Sequence, residues 1–536
     1  MEENLNGTPI VHEYDEHGRR IGSSGSKTAR QYQWAKHQLQ QLSVGEHTPL
    51  QFAYHPSGHE KTRATEQGFS LHHQWSETGL LLEQQLGRNG DSLRQYQYDA
   101  LDRLVGAVRQ QKTWESQQRF VHLFGYDSEL NLNQQGFATE YGDSGSNVVS
   151  LDDARVKRQS RKYDKAGRVL DTGRFRYHYD RCGRVVEKTE YKDGFRPKTT
   201  RFAWNGDDRL THIELPDGGR YRYRYDPLGR RVAKECLSTQ RITEYMWDGA
   251  NIVQHSQKTA DGSVIQEIEY LYEPETFRPL AQVTHKANQA SQLHYIVTDH
   301  AGTPQELCSE NGDVVWQGEQ ALWGHYQQRN TLPNHGFREN AQNDELYCDL
   351  RYQGQIEDHE SGLYYNVNRY YDADSGQYLS PDPIGFAGGL RPQAYVFNPL
   401  DWVDPLGLTP LNQGGFSVYG LFEEGAELPY YIGISNNPSK RELQHLSSGR
   451  LTTDDRLEVL EKDLNYAQAR GYEQAYIEEY GTKTGIRGQK ISIANRGNKI
   501  NSFDKGRVDD RGIAFNDEYD KAKADINSRK PKKDCF

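Results

Sequence analysis

Apolar residues are scarce in this chain: 34% of its 536 positions are hydrophobic, and the mean hydropathy is −0.96. No run approaches the ~18–20 consecutive apolar residues that a membrane-spanning helix needs, and the start, Met1 to Arg20, is polar with no signal-peptide core. The expectation is no membrane insertion and no export by a signal peptide. Cysteine is rare as well. Five residues (Cys182, Cys236, Cys308, Cys348, Cys535) are scattered, odd in number and never spaced Cys-x-x-Cys, which argues against a disulfide framework or a zinc knuckle and fits synthesis in a reducing cytosol. What is present in quantity is 35 Tyr, 17 Phe and 8 Trp, too many rings for a disordered chain, together with 50 Gly, a bias toward short strands and tight turns.

The length fits two to four domains at roughly 100–200 residues each. The net charge of −11 is unevenly distributed. Residues 409–536 hold 20 basic and 20 acidic side chains, whereas residues 1–408 hold 45 and 56, so a compositional boundary falls near 409.

Upstream of that boundary one phrase recurs, Tyr-Asp-x-x-Gly-Arg followed by apolar residues, beginning at Tyr14, Tyr163, Tyr179 and Tyr225, with looser copies at Tyr98, Tyr126, Trp204 and Trp247. Asp can hydrogen-bond its own downstream backbone and Gly accepts the positive φ that leads into the next strand, so each phrase predicts a β-hairpin. In the segment Arg174 to Tyr179 the alternation sets the aromatics on one face. Residues 45–95 and 255–335 match the phrase poorly. The phrases resemble the YD repeats of the Rhs family. That resemblance covers roughly residues 10–400 and implies a mainly β YD-repeat shell, a hollow β-sheet cocoon, over 1–361.

Residues 362–408 carry a denser pattern: Asn368-Arg369-Tyr370-Tyr371-Asp372, then Asp382-Pro383-Ile384-Gly385 and Asp404-Pro405-Leu406-Gly407, the last two separated by 18 residues. Taken alone, Asp-Pro-x-Gly is a β-turn. The stretch resembles the Rhs-associated core, a self-cleaving segment, and that likeness implies an internal aspartyl protease made of Asp382 and Asp404, with Arg369 as helper and the cut between Leu408 and Thr409. Two carboxyls sharing one site can serve as acid and base, because like charges push one pKa up.

Beyond 409 the character changes. Ser417 to Phe422 and Tyr430 to Ser435 read as a hairpin, and Pro438 to Leu446 as a helix capped by Asn437, with Arg441 and His445 on one face. A longer helical pattern is expected from Asp455 through Leu457, Leu460, Leu464 and Ala467, interrupted at Gly471. Val418-Tyr419-Gly420, eleven residues, Tyr431-Ile432-Gly433, and then Arg441 and His445 are similar to the GIY-YIG nuclease family, and Arg470 to Ile477 resembles its metal-bearing helix. The likeness implies a small α/β GIY-YIG-like domain. Tyr419 would activate or orient the attacking water, Tyr431 position the site, Arg441 hold phosphate oxygens, His445 relay a proton or contact the phosphate, and Glu473 bind one Mg²⁺ or Mn²⁺. Glu478 and Glu479 are alternative ligands, and Asn495 matches the family's late asparagine loosely. A run of basic residues from Lys483 to Arg511, and Arg529 to Lys533 in the tail, would attract nucleic acid if it faces the site.

The leading expectation is an antibacterial effector: a self-cleaving Rhs shell whose cargo, residues 409–536, is a metal-dependent nuclease for DNA. Its partners would be DNA, a cognate immunity protein and a secretion-system component, with homo-oligomeric closure of the shell left open. It would be made in the bacterial cytoplasm and act in the cytoplasm of a target cell. The alternatives are a YD-repeat adhesion or carbohydrate-binding protein, and the same toxin architecture with a different C-terminal enzyme.

Overall fold

The chain is described from a computed structural model over residues 2–529, except 6–7, 25–26, 36–37, 57, 77–78, 88–91, 100–102, 113–116, 127–131, 142–160, 321–322, 325, 331–345, 386–390, 397–398, 400–402, 409–415, 436–437, 448, 465, 487–488, 490, 500, 504 and 506–509. Thr409, Asn437, Arg487, Lys490, Arg507 and the tail lysines therefore lie outside the described residues, as do the turn residues after Tyr126.

The repeats form two long antiparallel meanders. Thirteen strands, from Glu2–Leu5 to Leu132–Tyr141, make one sheet, and sixteen, from Lys162–Tyr163 to Tyr326–Asn330, make a second, each in sequence order. The turn at Asp226 shows why. Its Oδ1 accepts the backbone N–H of Leu228 and Arg230 at 2.9 and 2.8 Å, its Oδ2 accepts Arg230 Nε at 2.8 Å, and Gly229 takes φ +79°. Asp15, Asp164 and Asp180 repeat the arrangement. The ring before the turn donates backward: Tyr225 Oη to the Leu210 carbonyl at 2.7 Å, Tyr179 Oη to Val169 at 2.8 Å, Trp204 Nε1 to Val185 at 2.8 Å and Trp247 Nε1 to Arg231 at 2.9 Å. An aromatic with a donor suits that position, and Tyr and Trp supply one where Phe does not.

The poorly matching stretches turn out to be the same repeat. Tyr54 Oη and Trp75 Nε1 donate to Leu39 and Glu60 at 2.8 and 2.7 Å, and Tyr272 Oη donates to Ile252 at 3.0 Å. After Trp75 the turn acceptor has changed, Ser76 Oγ accepting Leu80 N–H at 2.9 Å. At Asp299 the aspartate is kept, its Oδ1 accepting Ala301 and Thr303 N–H at 3.0 and 2.9 Å, and it is the ring that is missing, replaced by Thr298.

One face of each sheet is wet, which explains the low hydrophobic content. On the second sheet it carries cross-strand pairs such as Arg201–Glu187 at 3.1 Å and Arg222–Glu235 at 2.5 Å. On the opposite face Leu42, Phe52, Phe69 and Leu71 of the first sheet pack against Leu280, Val283, Tyr295 and Val297 of the second. A four-stranded sheet (Ile356–Asp358, Leu363–Asn366, Arg369–Asp372, Gln377–Tyr378) packs its Leu363, Tyr365 and Tyr370 against Tyr223, Trp247 and Tyr270 of the second sheet. Charges pin it there. Arg231 bonds both oxygens of Asp358 at 2.6 and 3.0 Å with neither side chain exposed, and Lys188 meets Asp372 at 2.8 Å.

The C-terminal part has its own core around Val418, Ile432, Ile477, Phe515 and Ala522. Strands Phe416–Phe422 and Tyr431–Ser435 pair as expected, and α1 spans Pro438–Ser447. The helical reading from Asp455 is corrected. Arg456–Leu464 is a strand that pairs along the other edge of Phe416–Phe422, so the leucines taken as one helical face sit on an extended chain. Helix α2, Tyr466–Tyr480, runs unbroken through Gly471, because a third helix, α3 (Asp510–Arg529), crosses there. A Cβ at 471 would stand 2.5 Å from the Glu518 carbonyl carbon.

Candidate functional site

Two arrays of functional side chains come together. In the first, strand Arg369–Asp372 aims Arg369 at both carboxylates of the Asp-Pro-x-Gly pair: its Nη2 lies 3.1 Å from Asp382 Oδ2 and 3.3 Å from Asp404 Oδ2, all three side chains being at most 1% exposed. The Arg369 guanidinium carbon lies over the Tyr378 ring, 3.7 Å from its centroid, its Nη1 donates to the Pro392 carbonyl at 2.9 Å, and its Nε donates to the Gly407 carbonyl. Tyr378 Oη donates to Asp404 Oδ2 at 2.8 Å. Asp404 Oδ1 accepts the N–H of Leu408 at 2.9 Å, and Asn366 and Asn368 donate to the Asp404 and Leu406 carbonyls at 2.7 and 2.9 Å. The segment ending at Leu408 is thus held by its backbone on two sides. Burial raises the Asp404 carboxyl above its ordinary pKa, while Arg369 and Tyr378 pull it down and Asp382 pushes it up. Such a group keeps its proton past the ordinary carboxyl range, as a general acid must.

The second array is built on the hairpin and α1. Tyr419, on the central strand, is fully buried, and its hydroxyl accepts Arg441 Nε at 3.2 Å and meets His445 Nε2 at 2.7 Å. With His445 in its Nδ1-protonated tautomer the hydroxyl donates to Nε2. Burial, Arg441 and Arg450 push His445 down to about 2, so it is a neutral acceptor. Burial holds the Tyr419 proton well above its usual pKa, with Tyr431 and Glu473 adding to the effect and Arg441 opposing it. Tyr431 completes the cluster, its ring 6.4 Å from Tyr419 and 5.2 Å from His445. Gly433 makes room, since a Cβ there would stand 2.4 Å from Tyr419 Oη.

Glu473 is buried on α2, and its Oε2 takes Arg470 Nη1 at 3.0 Å and the Ser502 hydroxyl. Both contacts fall on one oxygen. Among the described residues no three His, Cys, Asp or Glu side chains gather, so a cation here would rest on Glu473 with water and phosphate, a donor set that suits Mg²⁺. Glu478 is engaged elsewhere, by Tyr519 Oη at 2.6 Å and Lys505 at 2.5 Å.

Sequence reasoning missed Asn498. Its side chain bonds both the N–H and the C=O of Ile432, at 2.9 and 2.8 Å, and so pins the second motif strand, whereas Asn495 braces Ile486. Two asparagines three apart in Asn495-Arg496-Gly497-Asn498 were the available signal. Several of the expected DNA-facing cations are already paired: Arg496 with Asp455 and Glu423, Lys505 with Glu478, Arg529 with Glu461 and Asp525.

Comparison with known proteins matches two family models, RHS protein over residues 293–330 and RHS Repeat over residues 204–235. The chain belongs to the Rhs family. The first match falls within a stretch where the tyrosine phrase had faded, and an Rhs origin agrees with the hairpins found there. The chain is 30% identical over 380 residues to probable deoxyribonuclease RhsA of Dickeya dadantii (strain 3937), an alignment covering 69% of this chain and 25% of that protein. It is also 30% identical over 393 residues to double-stranded DNA deaminase toxin A of Burkholderia cenocepacia (strain H111), covering 67% and 25%. This Rhs chain therefore spans about a quarter of the length of these relatives. Among solved structures, the crystal structure of TcdB2-TccC3 without its hypervariable C-terminal region superposes with a TM-score of 0.54 at 17% identity, over 75% of this chain and 21% of that one. The shared feature is the fold of the β-sheet shell.

Proposed function

We propose that this Rhs protein is an effector that cleaves its own chain after Leu408 and carries in residues 409–536 a metal-dependent GIY-YIG-like nuclease acting on DNA. The observation that carries the nuclease reading is the chain of hydrogen bonds from Arg441 to Tyr419 to His445, beside Tyr431. With its own hydrogen donated to the neutral His445, the Tyr419 hydroxyl presents its oxygen to a water's hydrogen and orients that water for attack. Arg441 faces the phosphate and receives the charge that develops on its oxygens. Glu473 would hold the cation, which when bound polarises the phosphoryl group and stabilises the leaving oxygen. The name of the Dickeya relative agrees with this reading. That of the Burkholderia relative points to deamination, yet a zinc deaminase needs His and Cys ligands, and residues 409–536 contain one His and one Cys.

In the first array, Asp404 donates its proton while Asp382 activates water against the peptide bond after Leu408, and the backbone bonds at Gly407 and Leu408 hold the chain that leads up to it. DNA damage in a competitor, delivery by a secretion system and protection of the producer by an immunity protein belong to the same proposal. The deciding experiment is nicking of plasmid DNA by the full chain with Mg²⁺ or Mn²⁺. EDTA and Glu473→Ala should each abolish it, and nicking that survives both would overturn the assignment.

A further inference from the structure

Resting on the nuclease reading above, we infer that Arg450 forms a second phosphate subsite beside Arg441, one that grips the nucleic-acid backbone next to the scissile phosphate. Arg450 belongs to no motif read from the sequence; the fold brings it in. The chain turns after α1 at Gly449, whose φ is +69°, and the N–H groups of Arg450 and Leu451 both donate to the His445 carbonyl at 3.0 Å. Tyr430 Oη donates to the Arg450 carbonyl at 2.7 Å. The backbone of Arg450 is thereby tied to the helix turn that carries His445 and to the residue before Tyr431.

The side chain lies over the active-site ring. Its guanidinium carbon is 4.3 Å from the Tyr431 centroid, and its Nε is buried without a hydrogen-bond partner. Neighbouring arginines behave differently. Arg496 stacks on Tyr430 at 4.0 Å but bonds Asp455 and Glu423, Arg470 bonds Glu473, and Arg456 bonds Glu458. Among the described residues no carboxylate pairs with Arg450. A stacked planar fork with unused donors, a few ångströms from the reacting tyrosines, suits an anion with several oxygens lying in a plane of contact. Its charge is already felt at the site, because Arg450 joins Arg441 in holding His445 neutral. In a nuclease the anion that presents itself there is the neighbouring backbone phosphate, which a sequence-tolerant enzyme must hold to register the scissile bond.

The test is binding of the full chain to a short fluorescein-labelled DNA duplex in EDTA, by anisotropy over a NaCl series, followed by steady-state cutting with Mg²⁺. Arg450→Ala should weaken binding roughly tenfold at low salt, the effect of one lost charged contact, and flatten the slope of log K against log salt by about 0.9. Arg450→Lys should keep the slope and recover only part of the affinity. Wild-type affinity and slope in Arg450→Ala would overturn the subsite. So would a loss of kcat at unchanged affinity, which would mean that the stack merely orients Tyr431. Circular dichroism of both variants separates these results from misfolding, and a misfolded alanine variant leaves the lysine variant's slope to decide. If Arg441→Ala is inactive while Arg450→Ala binds normally, the nuclease stands without the subsite; if wild-type protein neither binds nor cuts DNA, the nuclease reading itself fails.

Discussion

The repeat turns and the Asp382–Asp404 array employ one residue type in opposite ways. In a turn such as that of Asp180 every partner in the repeat unit lies within four residues, the carboxylate stays half in water, and the Arg184 bonds hold its pKa below the ordinary value despite the opposing pull of burial. Asp404 draws on Arg369 and Tyr378, 35 and 26 residues away, and burial holds its proton on. At Asp180 the partners outweigh burial, whereas at Asp404 burial outweighs the partners. The same contrast separates what each region tolerates, since a turn lost from a sheet of many hairpins is one of many, but among the described residues the array has no duplicate.

That difference is sharpest for self-cleavage. Wild-type protein should run on a denaturing gel as two fragments meeting at Leu408–Thr409, and Asp382→Asn or Asp404→Asn should leave one intact band. Intact wild-type chain would break the comparison outright. Because the Asp404 pKa is raised, its acid form persists as pH climbs past the ordinary carboxyl range, so cleavage of freshly refolded protein should hold through mild acid and decline toward alkaline pH. A rate that rises with pH throughout would show that Asp404 is not the acid.

Next in size is the anchoring of the four-stranded sheet. Asp358→Ala strands Arg231 without its carboxylate in a fully buried site, and removing one member of such a pair costs about 3–5 kcal/mol. Urea denaturation should show it as a lower midpoint, and self-cleavage should slow, because this sheet carries Arg369. A loss below about 1 kcal/mol would mean that water reaches Arg231. In the C-terminal domain, Tyr419→Phe and Arg441→Lys should each lower nicking by on the order of 10²–10³. His445→Gln should cost less, since water can take over as proton acceptor. Equal losses in all three would mean that His445 acts on the phosphate instead.

How much of this was legible follows the same division. The phrase Tyr-Asp-x-x-Gly-Arg encodes its own turn, so hairpins could be read wherever the residues were kept, and the reading faded where Ser76 or His55 replaced the aspartate, although the donating ring remained. Tyr419, Arg441 and His445 were found from spacing, and the fold does bring them together. The strand Arg456–Leu464 was misread because leucines at 457, 460 and 464 fit a helix, and its pairing with Phe416–Phe422, from Phe422 with Arg456 to Phe416 with Leu464, is information held far away in the sequence. Arg450 and Asn498 were invisible for that reason as well: each depends on a partner supplied by tertiary packing, Tyr431 for the first and Ile432 for the second.

The smallest expected effect tests the other side of the contrast. Asp180→Ala removes an acceptor for Cys182 and Arg184 N–H, both at 2.9 Å, and the Oδ2 bond to Arg184 Nε at 2.7 Å, but solvent and Asp208, 3.0 Å from Arg184, take up part of the loss. A cost of about 1 kcal/mol is expected in the urea midpoint at neutral pH. Asp180→Asn keeps the backbone acceptor and should cost less. Since the folded pKa is depressed, the stability that Asp180 contributes is present above its unfolded value and is lost as pH falls through the folded one, so the difference between wild type and Asp180→Asn should shrink at acid pH. A difference that stays constant from neutral pH down to the foot of the carboxyl range would show that the turn is held by the shape of the side chain, with no contribution from its charge.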